Sequence, residues 1–143
     1  MNNFLDLLAT DQSLQLHLKL VPVGQPNVQV CVDHTVIFQG VLTETKILDL
    51  SAPLLTAFAV TVQLNNKIYS SQQETAVIVE EFSIDHLQII PNHTQLATYD
   101  NDHNYHNPTN YLGFNGTWRL QIPGAFYQWL HKITGQGWLL TPR

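Results

Sequence analysis

The sequence predicts an all-β protein: one antiparallel β-sandwich, jelly-roll-like, with a single short C-terminal helix. Three observations point there. Apolar residues recur at every second position along most of the chain. Turn formers break these runs at regular intervals. Only two short stretches depart from the two-residue period, and short strands at such spacing are the mark of sandwiches and barrels.

Leu14, Leu16, Leu18 and Leu20 alternate with Gln15, His17 and Lys19, which puts four leucines on one face of a first strand. Val28, Val30 and Val32 repeat the pattern after the turn signal Val23-Gly24-Gln25-Pro26. Asp33-His34 then marks a tight hairpin into Thr35-Val36-Ile37-Phe38-Gln39. Residues 41–50 and 54–64 read as further strands divided by Ser51-Ala52-Pro53, and Lys67-Ile68-Tyr69 as a short one. Two β-rich runs follow, Thr75 to Phe82 and Ile84 to Ile90, ended by Pro91-Asn92-His93. Residues 100–110 are nearly all polar and predict an exposed loop. Asn115-Gly116 reads as a hairpin turn before Trp118, Leu120 and Ile122, which share one face.

The two departures lie at the ends. Residues 1–10 suit a short helix or an arm. Phe126, Trp129, Leu130 and Ile133 fall at i, i+3, i+4 and i+7, one face of a helix, which Gly135 stops before a last strand over 137–140. Trp118, Trp129 and Trp138 are expected in the core. With neither repeat nor linker, residues 1–143 form a single domain.

Charge is scarce. Only 12% of residues are charged, about half the usual ~25%, while 44% are hydrophobic. Asn, Gln, Thr and Ser fill the deficit. Neutral polar groups cost less to desolvate than Lys or Glu, so such a surface suits faces covered by a partner. The six Lys and Arg are scattered and the net charge is −5, which excludes a stripe that follows a nucleic-acid backbone. No run approaches the ~20 apolar residues of a membrane span. The N-terminal stretch lacks the basic region and long apolar run of a signal peptide, so synthesis in a cytoplasm is expected and the sequons at Asn92 and Asn115 carry no weight. A single cysteine, Cys31, excludes an internal disulfide and is expected to pack as a small apolar core residue.

The chemistry-bearing residues concentrate in the polar loop. Asp100, Asp102 and Asn104 have the 1, 3, 5 spacing of a calcium loop, but Tyr105 stands where that loop needs glycine and Tyr111 where it needs the bidentate glutamate. The helix-loop-helix calcium site is rejected; a sandwich-type calcium site completed by distant carbonyls is the one cofactor left open. His103 and His106, with Asp100, Asp102 or His93, are weak transition-metal candidates, short of the three or four converging ligands zinc needs. Tyr99, Tyr105 and Tyr111 bracket the loop. With Asp100, Asp102 and Asn104 they form a candidate aromatic–amide platform, in which rings stack on sugar faces and amides or carboxylates bond hydroxyls. Catalysis finds little footing, for there is no Gly-x-Ser-x-Gly elbow and no phosphate-cradling glycine loop. Glu80 and Glu81 should point to opposite faces of a strand, so they do not pair with Asp85 for glycoside chemistry. No enzyme is expected.

The runs Asn66-Lys67, Glu74-Thr75-Ala76-Val77-Ile78-Val79, Ile84-Asp85 and above all Tyr111-Leu112-Gly113-Phe114-Asn115-Gly116-Thr117-Trp118-Arg119-Leu120, continued by Phe126 to His131 and Gly137 to Leu140, resemble small virion structural proteins of tailed phages, notably those infecting cyanobacteria. The middle of the chain also resembles the β-sandwich of calcium-dependent xylan-binding modules. The resemblance spans about residues 60–140 and rests on packing motifs. It implies a non-catalytic virion subunit of tail, fibre, adaptor or capsid decoration, made in the host cytoplasm and located in the particle. Its partners would be other virion proteins and copies of itself. The alternative is a carbohydrate-binding module that recognises host-surface polysaccharide.

Overall fold

The computed structural model describes residues 13–53 and 57–124. The elements expected over residues 1–10, from Phe126 to Ile133 and over 137–140, and the core positions expected for Trp129 and Trp138, lie outside the described residues. Within them the chain forms ten strands: β1 (Ser13–Val23), β2 (Asn27–Val32), β3 (Thr35–Val41), β4 (Lys46–Pro53), β5 (Phe58–Leu64), β6 (Ala76–Ile84), β7 (Leu87–Ile90), β8 (Ala97–Asn101), β9 (Tyr111–Leu112) and β10 (Gly116–Ile122). A 3-10 turn, Thr94–Leu96, separates β7 from β8. No helix of the described residues is long and apolar enough to cross a membrane.

The strands form the expected sandwich of two antiparallel sheets. One runs β4-β1-β6-β7 with β9 also on the outer edge of β6; the other runs β3-β2-β5-β10-β8. The two-residue period decides what lies between them. Leu14, Leu16, Leu18 and Leu20 meet Val28, Val30, Val60, Val62, Trp118, Leu120 and Ile122 in one apolar cluster. Full burial of each leucine contributes about 2 kcal/mol. Trp118 lies between Val62 and Tyr99 in the β5-β10-β8 register, and its indole N–H is buried without a hydrogen-bond partner among the described residues.

The alternation fails at one instructive point. Lys19 pairs with Glu81 and Leu20 with Val79, so Glu80 is an extra residue on β6. Inward positions are odd before this bulge (Val77, Val79) and even after it (Phe82, Ile84). Glu80 and Glu81 therefore do not point to opposite faces. Both stand on the outer face, Glu80 paired with Lys19 at 2.8 Å and Glu81 with its Oε1 4.0 Å from His17 Nε2. A bulge of this kind changes phase without any marker in composition.

Other boundaries shift for identifiable reasons. The break expected at Ser51-Ala52-Pro53 is strand, because these residues pair with Gln15, Leu14 and Ser13. The turn falls earlier, between Val41 and Lys46. The β-run from Thr75 to Ile90 folds back at Asp85-His86, both at positive φ as a two-residue hairpin turn requires. Cys31 is half-exposed on the outer face opposite Thr61, because the neighbouring valines take the inner positions; the core placement is corrected.

Candidate functional site

The loops at one end of the sandwich converge on a cleft, and the side chain that shapes it is one the sequence reading passed over. Asn101 ends β8 and is buried. Its Oδ1 accepts the N–H groups of His103 and Tyr105, each at 3.0 Å, while its Nδ2 donates to the carbonyls of Tyr99 and Tyr105 at 3.0 and 2.9 Å. One amide thus uses both of its donors and accepts twice, which folds residues 102–105 over the strand end. Asn104 takes a left-handed backbone, φ 54°, in the same turn.

Asp102 is the second node. Its Oδ1 accepts the Tyr69 hydroxyl at 2.5 Å and lies 2.9 Å from His103 Nδ1. The Tyr69 oxygen in turn accepts the N–H of Asn115. The bond from Tyr69, then that from His103, holds the Asp102 carboxyl below its ordinary range. Burial, then the same bond to Asp102, pushes the Tyr69 hydroxyl up. Asn115 completes the scaffold: its side-chain amide bonds Lys67 both ways, N–H to Oδ1 at 2.8 Å and Nδ2 to the carbonyl at 3.0 Å. Lys67 to Tyr69 is therefore not the short strand expected, since a side chain occupies its backbone groups. Nor is Asn115-Gly116 a hairpin turn. Leu112 belongs to one sheet and Gly116 to the other, and Gly116 presses so closely on Asp100 and Asn101 that a Cβ would fall 2.6 Å from the Asn101 Cα.

Rings line the cleft. Phe114 stacks on His103 with centroids 4.4 Å apart and planes at 13°, and lies 6.0 and 6.3 Å from Tyr105 and Tyr69. Tyr111 forms another wall, its hydroxyl donating to Glu74 Oε2 at 3.1 Å, and Glu74 also pairs with Lys67. These groups enclose about 560 Å³. Tyr105 and Tyr111 are each nearly 40% exposed and present ring surface to solvent. Tyr99 sits beneath, 8% exposed, with its hydroxyl donating to the Phe114 carbonyl and accepting the Phe114 N–H at 2.9 Å.

Of the six platform residues expected, Tyr99, Tyr105 and Tyr111 line the cleft, and Asp102 and Asn104 lie in the loop beside it. Asp100 does not join them. It projects from the outer face of β8 opposite Thr117 and shares a separate depression with His106, Gln95 and Thr98. Sequence reasoning missed Asn101, Tyr69, Phe114, Lys67 and Glu74. Four of these lie on two other segments, and only the fold brings them to the loop.

The arrangement does not fit a calcium or transition-metal centre. Asp102 spends Oδ1 on Tyr69 and His103, Asp100 lies on another face, and no three His, Cys, Asp or Glu side chains among the described residues converge to hold an ion.

No protein-family model matches the chain, and no curated protein matches it in sequence. Two solved structures have a similar two-sheet β-sandwich. One is "vCBM60 in complex with galactobiose", with TM-score 0.51 and 16% identity over 74% of this chain and 96% of that one. Another is a vCBM60 form described with a circular permutation linking two families of calcium-dependent carbohydrate binding modules, with TM-score 0.51 and 16% identity over 75% and 89% of the two chains. At that identity the likeness is one of fold.

Proposed function

We propose that this chain is a non-catalytic carbohydrate-binding module whose ligand lies in the loop-end cleft. The observation that carries this reading is the wall of exposed rings, Tyr69, Tyr105 and Tyr111 around Phe114, beside a compact set of polar groups. Rings stack on the apolar faces of sugars, and Lys67, Glu74 and Thr109 offer bonds to hydroxyls. The fold likeness to modules of this kind supports it. The cleft carboxylates suit binding more than bond cleavage. Glu74 is paired with Lys67 and Tyr111, and Asp102, held ionised by its two donors, is no proton donor at neutral pH. The virion-subunit reading rests on sequence resemblance alone, and neither the fold nor the similar structures add to it; copies on a particle would still be compatible with glycan binding.

The test is a glycan array followed by titration calorimetry on the ligands found. Tyr105→Ala and Tyr111→Ala should each weaken binding at least tenfold without loss of folding. Silence across neutral and acidic polysaccharides, or full affinity in both variants, would overturn the proposal.

A further inference from the structure

A second concavity lies away from the cleft, on the outer face of the β4-β1-β6-β7 sheet. The register sets Asp49, His17, Ser83 and Gln88 in one row across four strands, with Gln15 and Glu81 flanking it. These residues and His86 enclose about 660 Å³, a volume within the range of small-molecule sites. The bulge at Glu80 is what turns Glu81 into it.

Two features distinguish this groove from a solvated sheet face. The first is charge. Asp49 and Glu81 stand on either side of His17, at 2.8 Å from Nδ1 and 4.0 Å from Nε2, and no lysine or arginine among the described residues lines the site. Lys19, the nearest cation along β1, is taken by Glu80. Asp49 spends one oxygen on His17, and a carboxylate offers about four lone-pair sites. The second is Ser83. The residue is only 8% exposed and lies in the groove lining, and its hydroxyl, which bonds no group among the described residues, keeps its contact with solvent there and is open to a ligand.

We propose that this groove binds an amino sugar, a hydroxylated ring bearing a primary ammonium. The ammonium, a compact donor of three hydrogen bonds, sits against Glu81 in a charge-assisted bond, and Asp49 across the His17 ring adds to the negative field. Ring hydroxyls then meet Ser83, Gln15 and Gln88. No Phe, Tyr or Trp among the described residues lines the groove, so recognition runs through charge and hydrogen bonds, unlike the ring-walled cleft. The neutral groups Ser83, Gln15 and Gln88 are what separate this ligand from a simple diamine, which would need the carboxylates alone.

The experiment is a titration followed by two-dimensional NMR with four probes: D-glucosamine, N-acetyl-D-glucosamine, D-glucose and 1,4-diaminobutane. Glucosamine should bind at least tenfold more tightly than the other three, with shifts centred on Ser83 and Gln88. Glu81→Gln should weaken it at least tenfold. Ser83→Ala should weaken it several-fold while leaving the melting temperature unchanged, since the hydroxyl has no bond among the described residues to lose. Equal binding of glucosamine and its N-acetyl form, diaminobutane as tight as glucosamine, absence of glucosamine binding, or shifts confined to Tyr105, Tyr111 and Phe114 would each overturn the proposal. Failure of the cleft reading would leave this result untouched, because the probes report on different residues.

Discussion

The hydroxyl of Tyr99 closes a two-way bond with the backbone of Phe114, donating to its carbonyl and accepting its N–H. A core residue of one sheet thereby fixes the ring that floors the cleft. Burial raises the Tyr99 hydroxyl from 10.0 to about 12. A folded-state value above the unfolded one means the stabilisation is complete below pH 10 and is lost as pH rises toward 12, an effect on the order of 2 kcal/mol. Tyr99→Phe should cost about 2 kcal/mol at pH 8, because two backbone groups lose their partner. It should also flatten the alkaline decline between pH 10 and 12. Urea melts of both proteins across that range check both statements.

Asn101 should be the least replaceable polar residue of the loop. Asn101→Ala removes four hydrogen bonds and leaves backbone groups of Tyr99, His103 and Tyr105 without it. A cost of about 3 kcal/mol follows from the penalty for unpaired buried groups. Asn101→Asp keeps the two acceptor bonds and loses both donors, so it should fall between. Thermal unfolding ranks the three, and glycan affinity should fall in the same order, because the turn carrying Tyr105 is what loosens.

How far the sequence disclosed all this follows from the kind of signal each feature leaves. β1, β2 and β10 were legible because one face is wholly buried and the period is strict, as with Leu14 to Leu20. The bulge at Glu80 was not, since an inserted residue changes the phase of side chains and leaves no mark in their identity. Cys31 could have been placed correctly, because it is out of phase with Val28 and Val30. The cleft was half legible. Tyr105 and Tyr111 stand near a conspicuous loop, whereas Tyr69 and Glu74 come from the β5–β6 connection and join it through Asp102, His103 and Tyr111. Asn101 was hidden for the opposite reason: it lies among so many polar residues that its burial had no local signal.

Gly116 should tolerate no side chain. Its Cα faces the Asp100 carbonyl and the Asn101 backbone across the β8–β10 pair, so the collision is with main chain and cannot be relieved by a rotamer change. Gly116→Ala should destabilise the fold by about 3 kcal/mol, the upper end for overpacked sites. A smaller loss on denaturant melting would mean that β8 moves aside.

Acid should loosen the Tyr69–Asp102 link before it unfolds the sandwich. Asp102 has a folded-state value below its ordinary 3.8, so its contribution is present above 3.8 and is lost as pH falls through the lower folded value. The Tyr69 ring signals should therefore shift below pH 3.8 while the core methyl signals of Leu16 and Leu18 stay in place. In Asp102→Asn the acid shift should vanish.

Chelation supplies the sharpest contrast with the modules whose fold this chain shares. Those belong to a setting described as calcium-dependent. Here Asp100, Asp102 and Asn104 keep the calcium-loop spacing in sequence, yet β8 turns Asp100 to its outer face while Tyr69 and His103 occupy Asp102 Oδ1. A ligand held by Tyr105, Tyr111 and the Lys67–Glu74 pair needs no ion to bridge it. Glycan affinity measured by calorimetry should change less than twofold between excess EDTA and millimolar calcium, and calcium alone should leave the melting temperature where it was. A calcium-dependent rise in either quantity would mean that backbone carbonyls rearrange to complete a site that the side chains do not form.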